Sequence, residues 1–266
     1  MAEACLRRRC HYIDITGEIP VFEELAALDA KARDAGIMLL PGAGFDVVPS
    51  DCLAAFLKQA LPTAERLLLA YCGLGNFSHG TLKTIVGELW RGGAVRRGGK
   101  IVPVPHAFRT RKIDFGDGKL RTCVTIPWGD VATAYYSTEI PNIEVYMAAP
   151  SSLRRLLYLC RFAKPLLRNK AFIRWMQSRI PEGGPSAEER ARGYALFYGE
   201  VTDKFGRIKR ARLRTPEGYT LTALTAVAIA QRALRGEVRT GFVTPSLAYG
   251  ADFILEIPGC TRSTVE

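Results

Sequence analysis

The first sixty residues constrain the fold more tightly than anything after them. His11 to Thr16 (HYIDIT) alternates and is rich in β-branched and aromatic residues, the pattern of a strand. Gly17-Glu18 ends it. Pro20 suits the first turn of a helix whose apolar face is Val21, Phe22, Leu25, Leu28 and Ala32, with Gly36 as its C-terminal cap. Ile37 to Leu40 is short and wholly apolar, as expected of a strand buried on both faces of a parallel sheet. A turn, Pro41-Gly42-Ala43-Gly44-Phe45-Asp46, leads to a helix carrying Leu53, Ala54, Phe56 and Leu57. Ser50 or Asp51 is its expected cap, and Pro49 is expected to delay its start. Strand, helix, strand, glycine-rich loop, helix is the rhythm of a doubly wound α/β sheet. It stops after two strands.

From Glu65 the texture changes. Arg66 to Cys72 is strand-like, and Thr81 to Arg91 reads as a helix ended by Gly92-Gly93. Val95 to Val104, turning at Gly98-Gly99, and Phe108 to Thr125, turning at Asp117-Gly118, predict antiparallel hairpins. Trp128 to Thr138 reads as an irregular stretch between strands, the second being Asn142 to Met147. Tyr194 to Asp203 pairs with Arg207 to Arg214, and Tyr219 to Leu234 reads as a largely buried helix. The expected organisation is α/β: a remnant of a doubly wound parallel sheet over 1–62, then an α+β domain with a mixed or antiparallel sheet over 63–214. A helix and strand over 215–266 return to the first part.

Charge matters here chiefly through its distribution. The formal net charge is +11, but Arg154, Arg155, Arg161, Lys164, Arg168, Lys170, Arg174 and Arg179 fall between Ser151 and Arg179 with no Asp or Glu among them. Setting these eight aside leaves only +3. The same segment carries Leu156, Leu157, Leu159, Phe162, Leu166, Leu167, Phe172, Ile173, Trp175 and Met176. Two readings stay open: a basic amphipathic stretch lying on an anionic membrane, or a helical hairpin broken at Pro165 that covers an apolar cavity. The chain lacks the interleaved aromatics and glycines of a nucleic-acid-binding sheet, so nucleic acid ranks last as a partner. No stretch approaches the roughly 18 uninterrupted apolar residues of a membrane span. The seven cysteines form no CxxC pair and are odd in number, which opposes a disulfide framework or zinc site and suits free thiols in the cytoplasm. Three scattered histidines give no metal cluster.

Two loops at strand carboxyl ends are the first candidates for chemistry. Gly42-x-Gly44 can be a phosphate-binding turn, a tight turn needing positive φ, or a lining for the nicotinamide half of a dinucleotide; Val47 stands where the full fingerprint needs a small residue. Asp14, Thr16, Gly17 and Glu18 fall in the same crevice if the strands are neighbours, and could orient a ribose, a carboxamide or a hydroxyl. Alternatively Asp14 caps a turn and Thr16-Gly-Glu is simply a helix start. Tyr135 and Tyr136 could donate a proton to a developing alkoxide or sit as buried core residues, and His79 could contact an anion or lie on a surface loop.

Taken together, HYIDITGE (11–18), LLPGAGFDVVPSD (39–51), IPWGDVATAYYST (126–138), IPNIEVYM (140–147), TPEGYTLTALTAVAIAQ (215–231) and DFILEIPG (252–259) resemble the saccharopine dehydrogenase-like oxidoreductases, in the branch that includes trans-acting enoyl reductases. The resemblance spans essentially the whole chain. It implies a Rossmann-like unit binding NAD or NADP, with Asp14, Thr16, Gly17, Glu18, Gly42, Gly44, Phe45 and Asp46 bordering the nicotinamide. Ser78, Thr81, Asp130, Tyr135 and Tyr136 are then expected around a small apolar substrate, and no residue is assigned as catalytic. Family members begin with a strand and GxGxxG-type loop that this sequence lacks, so it is expected to be truncated, to expose sheet edges and to form a homodimer. The alternative is a non-catalytic lipid-binding or membrane-peripheral protein on the same scaffold.

Overall fold

The computed structural model describes residues 1–73 and 78–265. In chain order the strands are β1 (Tyr12–Ile13), β2 (Met38–Leu40), β3 (Ala64–Cys72), β4 (Gly93–Arg97), β5 (Lys100–Val104) and β6 (Thr110–Asp114). They continue with β7 (Leu120–Thr125), β8 (Asn142–Ala148), β9 (Tyr194–Asp203), β10 (Ile208–Pro216), β11 (Gly241–Phe242) and β12 (Thr261–Val265). Two sheets result. A small one runs β1-β2-β11, all parallel, with Ile13 opposite Leu40 and Phe242 opposite Leu39. A large one runs β12-β10-β9-β3-β8-β4-β5, with the β6–β7 hairpin joined through β7 to β8; among its described residues only β3 and β8 pair in parallel. The α/β reading therefore holds, with a parallel Rossmann-like sheet and a mixed second sheet.

Strand β3 explains how one apolar run serves two cores. Side chains alternate across a strand, so Leu67, Leu69 and Tyr71 enter the main core while Leu68, Ala70 and Cys72 enter a second one. The second is closed by Ile113, Phe115 and Cys123 from the β6–β7 hairpin. On the main side the helix Val48–Ala60 lies over β9 and β10. A side chain at Gly199 on β9 would meet Leu57 Cδ1 at 2.5 Å, so glycine lets the helix settle against the strand. Burial of Leu53 and Leu57 contributes about 1.5–3 kcal/mol each. Met38 and Leu40 of the small sheet join the same core, which crosses from one sheet to the other.

Several local expectations change. The Val48–Ala60 helix starts at Val48 with Pro49 in its first turn, where a missing N–H costs nothing, so Pro49 begins the helix rather than delaying it. Ser50 and Asp51 are consequently inside the helix and do not cap it; Asp51 instead accepts from the Ser246 amide, in the first turn of the helix Pro245–Tyr249, at 2.7 Å. The stretch read as irregular after Trp128 is a helix from Asp130 to Thr138, whose small buried residues Ala132 and Ala134 hide its apolar face from a periodicity count. The helix expected to be largely buried, Gly218–Leu234, buries one stripe, Leu221, Thr225 and Ile229, and leaves Leu224 and Val227 exposed. Ala2–Arg8 is also helical.

Candidate functional site

The site is built where three loops and one helix start converge. Because β1 and β2 are parallel neighbours, the loops that follow them sit side by side. Asp14 fastens them together: its Oδ1 accepts from the Thr16 and Gly42 amides, each at 3.0 Å, and its Oδ2 accepts from the Tyr12 hydroxyl at 2.5 Å. Asp14 also gives its carbonyl to the Ala43 amide at 2.7 Å. Glu18 accepts from the Thr16 hydroxyl and the Gly17 amide. These acids are committed to holding backbone.

Gly17 and Gly129 let the loops touch. A Cβ on Gly17 would lie 2.6 Å from Asp46 Oδ2, and one on Gly129 would lie 2.7 Å from the Phe22 ring and 2.9 Å from the Gly17 carbonyl. Trp128, just before Gly129, donates its indole N–H to the Asp46 carbonyl at 3.1 Å. The Gly218–Leu234 helix then closes the fourth side. Glu217 caps it, accepting from the Tyr219 and Thr220 amides, and Thr222 accepts from the Phe45 amide at 3.0 Å.

The cleft, open on one side, has a volume of about 240 Å³ and is lined by Ile15, Phe45, Asp46, Thr81, Trp128, Gly218, Tyr219 and Thr222. It is aromatic and apolar on most sides. Hydroxyls gather at one side: the Tyr219 oxygen accepts from the Ser78 amide at 2.6 Å and stands 3.3 Å from the Thr81 hydroxyl, itself 3.0 Å from that of Ser78. Among the described residues the Asp46 carboxyl has no hydrogen-bond partner, and burial together with the nearby Glu18 charge lifts it from 3.8 to about 6. That places it in the range where a carboxyl can give or take a proton at neutral pH.

Of the residues singled out in the sequence, Phe45, Asp46 and Thr81 line the cleft, and Ser78 adjoins it. Asp14, Thr16, Gly17, Glu18, Gly42 and Gly44 form its walls from behind. Gly42 takes φ +74°, and side chains at Gly42 and Gly44 would strike Val47 and Thr222. The amides of Gly42, Ala43 and Phe45 are all spent on protein acceptors. Asp130 lies deeper, wholly buried, accepting from Ser50 Oγ at 2.6 Å, and burial pushes its carboxyl well above the usual range.

Tyr135 and Tyr136 belong to a different cluster. The buried Arg96 guanidinium lies 4.3 Å over the Tyr135 ring and pairs with Glu23 at 2.7 Å, while Tyr136 packs edge-on against Phe242. His79 faces the Pro181 carbonyl at 2.9 Å. Sequence reasoning missed Tyr219, Thr222 and Ile15. The available signal was the Pro216-Glu217 helix start, which sets Tyr219 in the first turn, where side chains face whatever the helix points at.

No metal-ligating cluster of His, Cys, Asp or Glu occurs among the described residues, and all seven cysteines are free. A second concavity, about 230 Å³ at Arg66, Arg97, Arg109 and Arg111, contains Glu144 and Glu200, which pair with three of those arginines.

No protein-family model and no curated protein matches the chain. Among solved structures it is similar to apo saccharopine dehydrogenase (L-Glu forming) from Saccharomyces cerevisiae, with 10% identity and a TM-score of 0.57 over 100% of this chain and 82% of that one. GenD2 from gentamicin A biosynthesis, in complex with NAD, aligns with 12% identity over 100% of this chain and 74% of that one, at a TM-score of 0.33. The first superposition shows a shared fold; the second is too loose to carry an argument.

Proposed function

We propose that a chain with the fold of a saccharopine dehydrogenase uses this cleft as the reaction end of an oxidoreductase site, where a nicotinamide ring and a small apolar substrate meet. The observation that carries the reading is Asp46, an unpartnered carboxyl lifted to about 6, facing a cleft walled by Phe45, Trp128 and Tyr219. Open α/β sheets present their ligands at the carboxyl ends of parallel strands, which is where β1 and β2 deliver these loops.

The cleft fits the ring end of NAD or NADP: flat aromatic walls beside a planar ring, with Asp46 and the Thr81 and Tyr219 hydroxyls available to a carboxamide or a substrate oxygen. The Gly42–Gly44 turn fits the pyrophosphate poorly, because the Gly42 and Ala43 amides are already bonded to Asp14 and the turn packs tightly against Val47 and Thr222. When bound, the nicotinamide supplies the hydride acceptor or donor. The chain's own part is to exclude water with aromatic walls and to hold or release a proton at Asp46. Tyr219, fixed by the Ser78 amide, orients the polar side.

The finer readings rest on the same site. Its apolar walls favour the enoyl reductase branch over one acting on charged amino acids. The outer edge of β1 is unpaired among the described residues and suits a homodimer, for which light scattering giving a monodisperse monomer would be the contrary result.

Calorimetric titration with NADH and NADPH tests the main reading. Saturable binding to the parent, lost in Gly17→Val, supports it; equal heats for parent and variant contradict it.

A further inference from the structure

The segment from Ser151 to Ile180 takes no part in the cleft, and its charge is arranged unlike the rest of the molecule. It forms the helices Ser151–Cys160, Lys164–Arg168 and Lys170–Ser178. One side of the first helix faces the protein: Cys160 is buried, Arg154 donates to the Ala149 carbonyl, and Arg161 donates to the carbonyls of His106 and Ala107. The other side is open. Leu156 is 56% exposed, Leu159 62% and Phe162 73%, and farther along the segment Trp175 is 53% exposed.

Isolated exposed leucines are ordinary on a protein surface. A succession of large apolar side chains is not, and here it is interleaved with cations. Arg155, Arg168, Lys170, Arg174 and Arg179 form no ion pair among the described residues, and the sequence supplies no acid between Ser151 and Ile180. On the large sheet several arginines have carboxylates beside them: Arg97 and Arg109 share Glu144, Arg210 and Arg111 share Glu200, and Arg212 pairs with Asp114. Exposed arginines without an ion pair among the described residues also occur outside the segment, as at Arg66 and Arg214, but not in a run of thirty residues that holds no acid.

We infer that this segment is a docking surface for an anionic lipid bilayer, on which Leu156, Leu159, Phe162 and Trp175 enter the interface while the unpaired cations meet lipid headgroups. No helix is long and apolar enough to cross a membrane among the described residues, so the association is peripheral. An aromatic and leucine face with arginines and lysines around it is what lies in a headgroup region. Charge decides among occupants. An acidic protein partner would be expected to bury the apolar stripe against a complementary groove, whereas a fluid bilayer accepts exposed side chains spread over three short helices. Each cation near an anionic leaflet raises partitioning roughly fivefold.

The test is sedimentation of the full chain with vesicles of phosphatidylcholine alone and with phosphatidylserine added. The surface predicts at least tenfold tighter binding to the serine-containing vesicles, weakened by salt. Arg155→Glu with Arg168→Glu and Arg174→Glu should remove that preference, and Phe162→Ser with Trp175→Ser should weaken binding at least tenfold. Both sets are exposed, and unchanged circular dichroism and melting identify variants that still fold. Equal sedimentation with both lipids, no sedimentation, or folded variants that bind like the parent would overturn the inference. So would tighter binding to an RNA or DNA duplex than to the anionic vesicles. Cofactor binding in the cleft is independent of every one of these results.

Discussion

The loops after β1 and β2 make an instructive pair. Each follows a strand of the same parallel sheet, and each carries glycine and an aspartate. Asp14 in the first has both carboxylate oxygens occupied, by Thr16, Gly42 and Tyr12. Asp46 in the second has none of its side-chain bonding capacity used and faces a cleft at a pKa of about 6. An acid at a strand's carboxyl end is therefore not a site by position alone. Spare hydrogen-bonding capacity beside a cleft separates a reactive group from a structural tie.

That contrast can be broken by substitution, starting with the largest effect. Asp14→Ala strands two backbone donors and a tyrosine hydroxyl, and should destabilise the fold by about 2–4 kcal/mol in chemical denaturation. A loss below about 0.5 kcal/mol would remove Asp14 as the tie. Gly129→Val comes next. Its Cβ meets the Gly17 carbonyl and the Phe22 ring, so the loops must part, at about 1–3 kcal/mol, with loss of cofactor binding; unchanged melting would show the loops to be independent.

Asp46→Asn should have the smallest effect on stability and the clearest on pH. The folded carboxyl titrates near 6 and the unfolded one near 3.8, so the unfolded chain gives up its proton first. Parent stability should accordingly fall as pH rises from about 4 through about 6, with the penalty complete above that, while Asp46→Asn should be flatter over the same window. The causes acting on Asp46 are its burial and then the Glu18 charge. Thermal melts of both proteins from pH 4 to 8 measure the difference, and parallel profiles would place Asp46 in ordinary solvent.

Much of this was legible in the residues, and the exceptions share a physical cause. The wholly apolar Ile37–Leu40 run and the alternation around Tyr12 gave the parallel pair, and Gly98-Gly99 and Asp117-Gly118 gave the hairpins. The Asp130–Thr138 helix was hidden because Ala132, Thr133 and Ala134 are small, so that its burial comes from close packing rather than from a run of large apolar side chains. In the site, Asp46 lay in a loop that its glycines marked out. Tyr219 and Thr222 come from 173 and 176 residues later and reach the cleft only because their helix returns to the small sheet, which local pattern cannot convey. The same limit applies to Tyr135 and Tyr136, whose partner Arg96 is supplied by β4.

Trp128 offers the most direct measurement of the central claim, since its indole lines the cleft and only Trp90 and Trp175 compete with it in fluorescence. Replacing both by Phe leaves Trp128 as the sole reporter. Titrating that protein with NADPH and NADH should quench its emission saturably, and less strongly after Gly17→Val. Unchanged Trp128 emission at saturating nucleotide, corrected for absorption, would contradict the assignment of this cleft to a nicotinamide ring.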